Sequence, residues 1–377
     1  MNILINGLLL NRPYTGVQYS IESLIEALSR HNSGDIQYTV LVSSDYTGRL
    51  EKSKSLTVRK VKFNSSNRFK RIAFENFFLF SFFKKHKFDI YHSPGYTLPV
   101  WAGRVRSLVT LHDLIALDFP ELCKNETALY YNLVLPGTIY SAKKIVAVSN
   151  KVKDDVLRRF PVVDENKIAV IYHGVNFRFK KITIKKILQD VRNKYNLPER
   201  YLLFVGNIEP KKNIERIVEA LHQLKSEKEV INKLVIVGRK GWKYSSLFKL
   251  IEKLRMQANV ILLGYVEEED LPAIYSLAET LVYPSLYEGF GLPVIEAMAC
   301  GCPVVMSNRG ALPEISNGLC QQIDPLNTDQ LCHAIRKLMG DKDYRNQQIN
   351  DGIARSSRFS WDRAANQTID LYNSIMT

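Results

Sequence analysis

No run of about 18 consecutive apolar residues occurs in the 377-residue chain, so it offers no membrane-spanning helix. Cysteine is scarce, with five residues at positions 123, 300, 302, 320 and 332. The odd number and the lack of zinc-type spacing argue against a disulfide framework and against a metal site. A reducing compartment, the cytoplasm, is the simplest fit. No G-x-G-x-x-G follows the first strand signal, which counts against an NAD-dependent oxidoreductase. Low-complexity tracts and short repeats are missing too. The opening MNILINGLLLNRPYTG has no positive segment ahead of its apolar part and reads as a first strand rather than a signal peptide.

Acidic residues are the scarcer charge, 38 against 52 Lys and Arg, for a formal net charge of +14. The excess is concentrated: over 49–87, twelve Lys and Arg stand against Glu51 and Glu75. Such a concentration suits an anionic partner: nucleic acid, phospholipid or a phosphorylated substrate. Hydrophobic residues make up 46% and charged residues 24%, a globular composition, and the length suggests two domains.

Short β-branched runs alternate with helix-period segments. ILI, YTVLV, DIYHS, SLVTLH and KIVAVS read as strands, with IESLIEALSR and DVLRRF as helices among them. The alternation restarts at YLLFVG and continues through IERIVEALHQL, KLVIVG, SLFKLIEKLRM, VILLGYV, LPAIYSLAE and TLVYPS. Two such series predict two parallel sheets with helices on both faces. The seam is expected in the basic stretch 177–198, and FSWDRAANQTIDLYNSIM reads as a last amphipathic helix capped by Ser360. Ligands of doubly wound sheets sit beyond the carboxyl ends of the strands, so the residues there matter most.

The stretch PSLYEGFGLPVIEAMACGCPVV, 284–305, sets Glu288 and Glu296 around a glycine-rich turn. Pro293 suits the first turn of a helix that Gly301 ends, and Glu296 is expected in that first turn. Complementing the helix dipole is one explanation for Glu296. The other is ligand binding. Gly289 and Gly291 let the backbone approach a ligand, a helix start offers N–H groups to an anion, and carboxylates accept from sugar or ribose hydroxyls. Together these describe a nucleotide sugar.

The segment EGFGLPVIE resembles the Glu-x7-Glu motif of retaining glycosyltransferases of the GT-B fold, in particular glycosyltransferase family 4. Three more segments match in order: FVGNIEPKKNIERIVEAL at 204–221, TLHDLIALDFPE at 110–121 and RPYTGVQYSIESL at 12–24. IYHGVN, GALPEI and FSW extend the likeness over nearly the whole chain. The fold implied is α/β, GT-B, with two doubly wound Rossmann-like domains facing a central cleft. The expected boundaries are 1–180 for an acceptor-side domain, 181–358 for a nucleotide-sugar domain, and 359–377 for a helix crossing back to the first.

The resemblance also implies roles. Lys212 matches the diphosphate-binding lysine, and Asn207 stands where many members carry arginine, with Lys211 or Arg239 to compensate. His112 matches a histidine beside the transferred sugar, although a lone histidine after a strand also serves structure; Asp113 caps or orients. Gly16 lies in the turn after the first strand, near the donor phosphates or the acceptor. Glu296 would hold the ribose hydroxyls and Glu288 the donor sugar. The amides of Phe290, Gly291 and Leu292 would help hold sugar or phosphate, and the base would rest at 264–266, by Val266. The expected catalytic set is His112, Lys212 and Glu288, with no metal and no cofactor.

The reaction implied is sugar transfer to a hydroxyl with retention at the anomeric carbon. TLHDLIALDFPEL and IEPKKN resemble members using GDP-mannose, with UDP-sugars the alternative donors. A non-catalytic nucleotide-sugar-binding protein is the other alternative, and Asn207 is the feature that favours it.

The segment RFKRIAFENFFLFSFFKKHK, 68–87, holds seven of the 17 phenylalanines between basic ends. Either one face packs on the sheet, or the helix lies in a membrane interface, where each placed cation adds roughly 1 kcal/mol with anionic lipid. The second option points to a lipid-linked glycan acceptor, surface polysaccharide of the O-antigen or capsule type, and a peripheral place on the inner face of the cytoplasmic membrane. Nucleic acid is the weaker partner, because no recognised binding module accompanies the charge.

Overall fold

A computed structural model describes residues 1–10, 15–31, 35–225 and 233–377. By contacts the chain divides into two units, Met1–Gly174 with Ser360–Thr377, and Val175–Phe359.

The first unit builds, among the described residues, a seven-stranded parallel sheet from β1 (Asn2–Asn6), β2 (Gln37–Val42), β3 (Leu56–Lys60), β4 (Ile90–Ser93), β5 (Arg106–Leu111), β6 (Lys144–Ala147) and β7 (Ile168–Val170). The order is β3-β2-β1-β4-β5-β6-β7, so the winding reverses between β1 and β4. Parallel strands with both faces covered need continuous apolar runs, and Ile3, Leu4 and Ile5 of β1 are buried in succession.

The last helix, Trp361–Met376, belongs to this unit and packs on the helix Gly16–Arg30. Its apolar face, Trp361, Ala365, Tyr372 and Ile375, closes the core cluster formed by β1, β2 and that first helix. Ser360 caps it, accepting from Arg363 N at 3.1 Å. The hydroxyl of Tyr372 lies 2.7 Å from Nδ1 of buried His92 in β4. Gly174 lies so close that a Cβ there would stand 2.1 Å from Trp361 N, which leaves no room for a side chain.

The second unit repeats the scheme with six parallel strands: β8 (Leu202–Val205), β9 (Leu234–Val237), β10 (Val260–Gly264), β11 (Thr280–Tyr283), β12 (Val304–Ser307) and β13 (Gln321–Ile323). Their order is β10-β9-β8-β11-β12-β13, so the reversal falls between β8 and β11, which pair through Leu202 with Thr280 and Leu203 with Leu281. The helix Ile214–Leu224 shows why the sequence was readable. Ile214, Ile217, Val218, Leu221 and Leu224 recur at three- and four-residue spacing and are all buried.

Two expectations need correction. The helix after the Glu288 turn runs Leu292–Ala299 with Gly291 as its cap, so Glu296 lies in the second turn, beyond the strongest part of the helix dipole. The phenylalanine-rich segment is not one regular helix. It runs as Arg68–Ala73, a π-turn Phe74–Phe78, and a helix Leu79–Lys85. Only Leu79 and Phe83 are buried there, while Phe69, Phe77 and Phe78 are 85%, 76% and 66% exposed. Among the described residues no helix is long and apolar enough to cross a membrane.

Candidate active site

Both halves of the main site grow from the two strands that flank the reversal in the second sheet. β8 leads into Gly206, whose φ is 147°. A Cβ on Gly238, just past β9, would stand 1.9 Å from Gly206 O, so the two loops touch backbone to backbone. Ile208 N donates to Arg239 O at 2.9 Å and fixes that contact. The chain then makes a short 3-10 turn, Pro210–Lys212, and enters the next helix through Asn213 at φ 54°. Asparagine tolerates that left-handed backbone. Its side-chain amide donates to Pro284 O at 3.1 Å and to Pro325 O at 2.7 Å. Leu286 N donates to Lys211 O at 2.8 Å. The loops after β8, β11 and β13 are thereby laced into one rim.

That lacing brings Lys212 and Glu288 together. Nζ of Lys212 lies 2.6 Å from Glu288 Oε1 and donates to the Tyr283 hydroxyl, also at 2.6 Å. The two charged side chains are 12% and 9% exposed. Tyr283 is fully buried and stacks on Phe204 at 5.8 Å. Burial pushes the Glu288 carboxyl up, but the Lys212 and Lys211 charges outweigh that and hold it below the usual carboxylate range.

The backbone of Glu288 is placed from the other side. Ala311 N donates to Glu288 O at 2.9 Å. Gly310, at φ 64°, passes so near that a Cβ would lie 2.5 Å from that oxygen. Gly291, at φ 108°, caps the helix that carries Glu296. Gly289 and Phe290 are buried within the turn, Phe290 edge-on to Phe359 at 5.8 Å.

Glu296 differs from Glu288. It is 8% exposed, and its carboxylate accepts from the Tyr275 hydroxyl at 3.0 Å, with no ion pair among the described residues. Burial pushes its pKa to about 7, against the pull of the tyrosine hydrogen bond. One carboxylate is thus held ionised and the other close to its titration point near neutral pH.

Asn207, Lys211 and Leu292 are half-buried at this rim. Burial raises the carboxyl of Glu209, opposed by Lys211, Lys212 and the Asn207 amide. Val266 is buried just past β10, and the Arg239 guanidinium lies over the Tyr265 ring at 4.9 Å.

The first unit holds the remaining predicted residues. His112 directly follows β5 and is 7% exposed. Its Nε2 lies 2.8 Å from Pro94 O and its Nδ1 3.2 Å from Nε2 of His173. A carbonyl only accepts, so Nε2 of His112 carries the proton and Nδ1 accepts from His173. Burial favours the neutral form of both rings, and His112 further disfavours charge on His173. Asp113 turns back to accept from Ile115 N at 3.3 Å. Gly16 is the exposed first residue of its helix rather than a turn residue, and Arg12, Pro13 and Tyr14 of the same motif lie outside the described residues.

Sequence reading missed Tyr283, Tyr275, Asn213 and Gly310. Tyr283 and Tyr275 look like ordinary strand and helix residues, and only the fold shows which charged groups they meet. The GALPEI segment contained Gly310, with nothing to show whose backbone it would approach.

The family model described as Glycosyl transferases group 1 matches residues 187–355, and that of Glycosyltransferase Family 4 matches residues 14–179. The O-antigen chain mannosyltransferase B of Escherichia coli is 33% identical over 290 residues, covering 77% of this chain and 75% of that protein. The serotype-specific mannosyltransferase WbdA of Escherichia coli is 27% identical over 300 residues, covering 76% of this chain and 36% of that longer protein. Among solved structures, Anabaena Alr3699/HepE in complex with UDP and glucose matches with a TM-score of 0.76 at 18% identity, over 99% of this chain and 100% of that one. The chain therefore belongs to the group 1 and family 4 glycosyltransferases and is a glycosyltransferase of the GT-B fold.

Proposed function

We propose that this glycosyltransferase moves mannose from GDP-mannose, with retention, to a hydroxyl of a lipid-linked oligosaccharide in the synthesis of a surface polysaccharide. The observation that carries the donor half is the Lys212–Glu288 pair at the strand-order reversal, where doubly wound sheets bind ligands. Mannose is favoured by the name of the Escherichia coli relative.

In this reading Lys212, with Lys211 and Asn207, takes the diphosphate. Glu288 accepts from hydroxyls of the sugar, and Glu296 from those of the ribose. Gly16, Gly289 and the amides of Phe290, Gly291 and Leu292 approach sugar or phosphate, and Val266 lies by the base. The bond from the anomeric carbon to the diphosphate oxygen breaks, and its electron pair leaves on the diphosphate. The acceptor oxygen bonds to the same face of that carbon, and its proton passes to the departing diphosphate. Lys212 stabilises the charge that develops there, a preorganised electrostatic role. His112 stands beside the sugar as a neutral ring. Both its nitrogens are already engaged, which argues against its use as the base.

The acceptor half rests on the first unit. Phe69, Phe77 and Phe78 are exposed amid Arg68, Lys70, Arg71, Lys84, Lys85 and Lys87, the pattern of a segment lying on anionic lipid. That pattern supports a peripheral position on the inner face of the cytoplasmic membrane and a lipid-linked acceptor.

A UDP-sugar donor is the second reading, favoured by the UDP and glucose bound to the Anabaena protein. Thermal stabilisation by GDP, UDP, ADP and NAD, with wild type and Glu296→Ala, separates these readings. Nucleotide at about 100 times its Kd adds about 2.7 kcal/mol of apparent stability. A shift with GDP alone that the variant loses supports the GDP-sugar reading, and a shift with UDP alone replaces it. No shift with any nucleoside diphosphate overturns the donor site.

A further inference from the structure

The first sheet has its own reversal of strand order, between β1 and β4. The chemistry above uses only His112 and Gly16 on this side. Two other features stand at that reversal.

The first is a row of tyrosines. β4 leads into Tyr96, which has φ 62°. A bulky residue in the left-handed region is strained, and such strain persists only where the surroundings hold it. Here Tyr96 N donates to Thr110 O at 3.0 Å, and Thr97 N to Gly95 O at 2.8 Å. The turn lays the Tyr96 ring between His112, at 5.2 Å, and Tyr131, at 5.3 Å. Tyr131 meets Tyr130 at 5.4 Å, and the Arg68 guanidinium covers the Tyr130 ring at 3.8 Å. All three tyrosines are half-buried, so their rings line a surface rather than fill a core.

The second is Glu75. The π-turn is closed by Leu79 N donating to Phe74 O, five residues back. Such turns recur at functional sites, where the added residue redirects side chains. Phe77 and Phe78 go outward, while Glu75 reaches the end of β1, where Asn6 Nδ2 donates to its Oε1 at 2.9 Å and to the Tyr91 hydroxyl at 3.0 Å. The turn is held from outside: Trp101 Nε1 donates to Glu75 O at 2.7 Å, and Val100 N to Asn76 Oδ1 at 2.9 Å. Among the described residues, Asn6 supplies the only hydrogen bond to the Glu75 carboxylate. A shielded carboxylate ordinarily accepts several. Burial raises its pKa and the Arg71 charge opposes that, so the group is tied to its place but under-served with donors.

We infer that the Tyr96 and Tyr131 rings and the Glu75 carboxylate form an acceptor subsite, in which one sugar residue lies against the rings and a pair of its hydroxyls donates to Glu75. The apolar face of a pyranose suits aromatic rings, and vicinal hydroxyls match the two oxygens of a carboxylate. Arg71 supports the ionised form. This inference rests on the proposed glycosyl transfer but on a different unit of the chain from the donor site.

The test is saturation-transfer NMR on the full chain with methyl α-D-mannopyranoside, methyl α-D-glucopyranoside and methyl N-acetyl-β-D-glucosaminide, comparing wild type, Glu75→Gln and Tyr131→Leu. Melting temperatures confirm that the samples are folded. At least one glycoside is expected to bind the wild type, and each variant to weaken it by about tenfold or more, the cost of losing a charge-assisted hydrogen bond or its stacking partner. If Glu75→Gln does not fold, Glu75→Asp takes its place, because the shorter carboxylate cannot span the same hydroxyl pair. Binding indifferent to both variants, or no binding of any glycoside to the wild type, overturns the subsite. GDP and UDP binding to the same wild-type sample is measured alongside. A failed donor reading shows there, and a failed acceptor subsite shows only in the glycoside signal.

Discussion

Lys212 and Glu288 neutralise each other across 2.6 Å, in side chains that are 12% and 9% exposed. In the proposed reading, a diphosphate taken by Lys212 shares that cation with Glu288. The pair keeps the lysine oriented and the carboxylate ionised before any ligand arrives.

Truncating Lys212 should act on both activity and stability. Turnover is expected to fall by about 100-fold or more, as when a preorganised charge-stabilising group is lost. Lys212→Ala also strands Glu288 without its nearest cation, and breaking a buried pair costs about 3–5 kcal/mol. The double variant Lys212→Ala, Glu288→Ala should be the more stable of the two in urea unfolding. A single variant as stable as wild type would show that Glu288 is better solvated than its burial implies.

Glu296 should make stability fall as pH rises. Its folded pKa, about 7, lies above the ordinary 4.5. Below 4.5 both states hold the proton; between 4.5 and about 7 the folded state holds it while the unfolded state has released it. Stability is thus lost across that window, by roughly 3 kcal/mol, and is flat above it. Glu296→Gln should lack this loss, gaining on wild type at pH 8 and not at pH 4. Melts of both proteins at the two pH values check the sign.

Gly310→Ala should damage the site through a residue that no ligand need touch. The new Cβ would meet Glu288 O at 2.5 Å, on a backbone at φ 64°. The strain is of order 1–3 kcal/mol. Turnover should fall further than the loss of stability explains, because the displaced residue is Glu288. Turnover measured well below the melting temperature separates the two effects.

The outward face of the phenylalanine-rich segment should decide membrane binding. Phe77→Ser with Phe78→Ser, or neutralisation of Lys84, Lys85 and Lys87, should each weaken sedimentation with anionic vesicles. Each lost cation near the surface is worth about 1 kcal/mol. High salt should reproduce the charge variants but not the phenylalanine ones. Vesicle binding unchanged in all of them would end the interfacial reading of this segment.

Most interior strands of both sheets were legible because buried parallel strands are continuous apolar runs, as in YLLFVG and KLVIVG; β12, inside the second sheet, was not read. The strands left unread include β3, β7 and β13, each at a sheet edge; β7 and β13 have three residues each, and β3 and β13 carry polar residues. The roles expected for Lys212 and Glu288 came from motif resemblance. Their direct contact did not, because 76 positions separate them and no local spacing encodes that distance. The π-turn was hidden for a different reason. RFKRIAFENFFLFSFFKKHK has no glycine or proline to mark a break, so only the tertiary contacts of Glu75 and Asn76 reveal it.

The second unit enters and leaves at neighbouring points: Val175 N donates to Phe359 O at 3.0 Å. In construction terms, Val175–Phe359 is a cassette spliced into the first unit, and both cut ends face one junction. The cassette expressed alone should therefore fold and bind nucleotide. The first unit, by contrast, cannot close its core until residues 360–377 have been made. During synthesis the chain of the second unit is finished before that of the first, although it begins later.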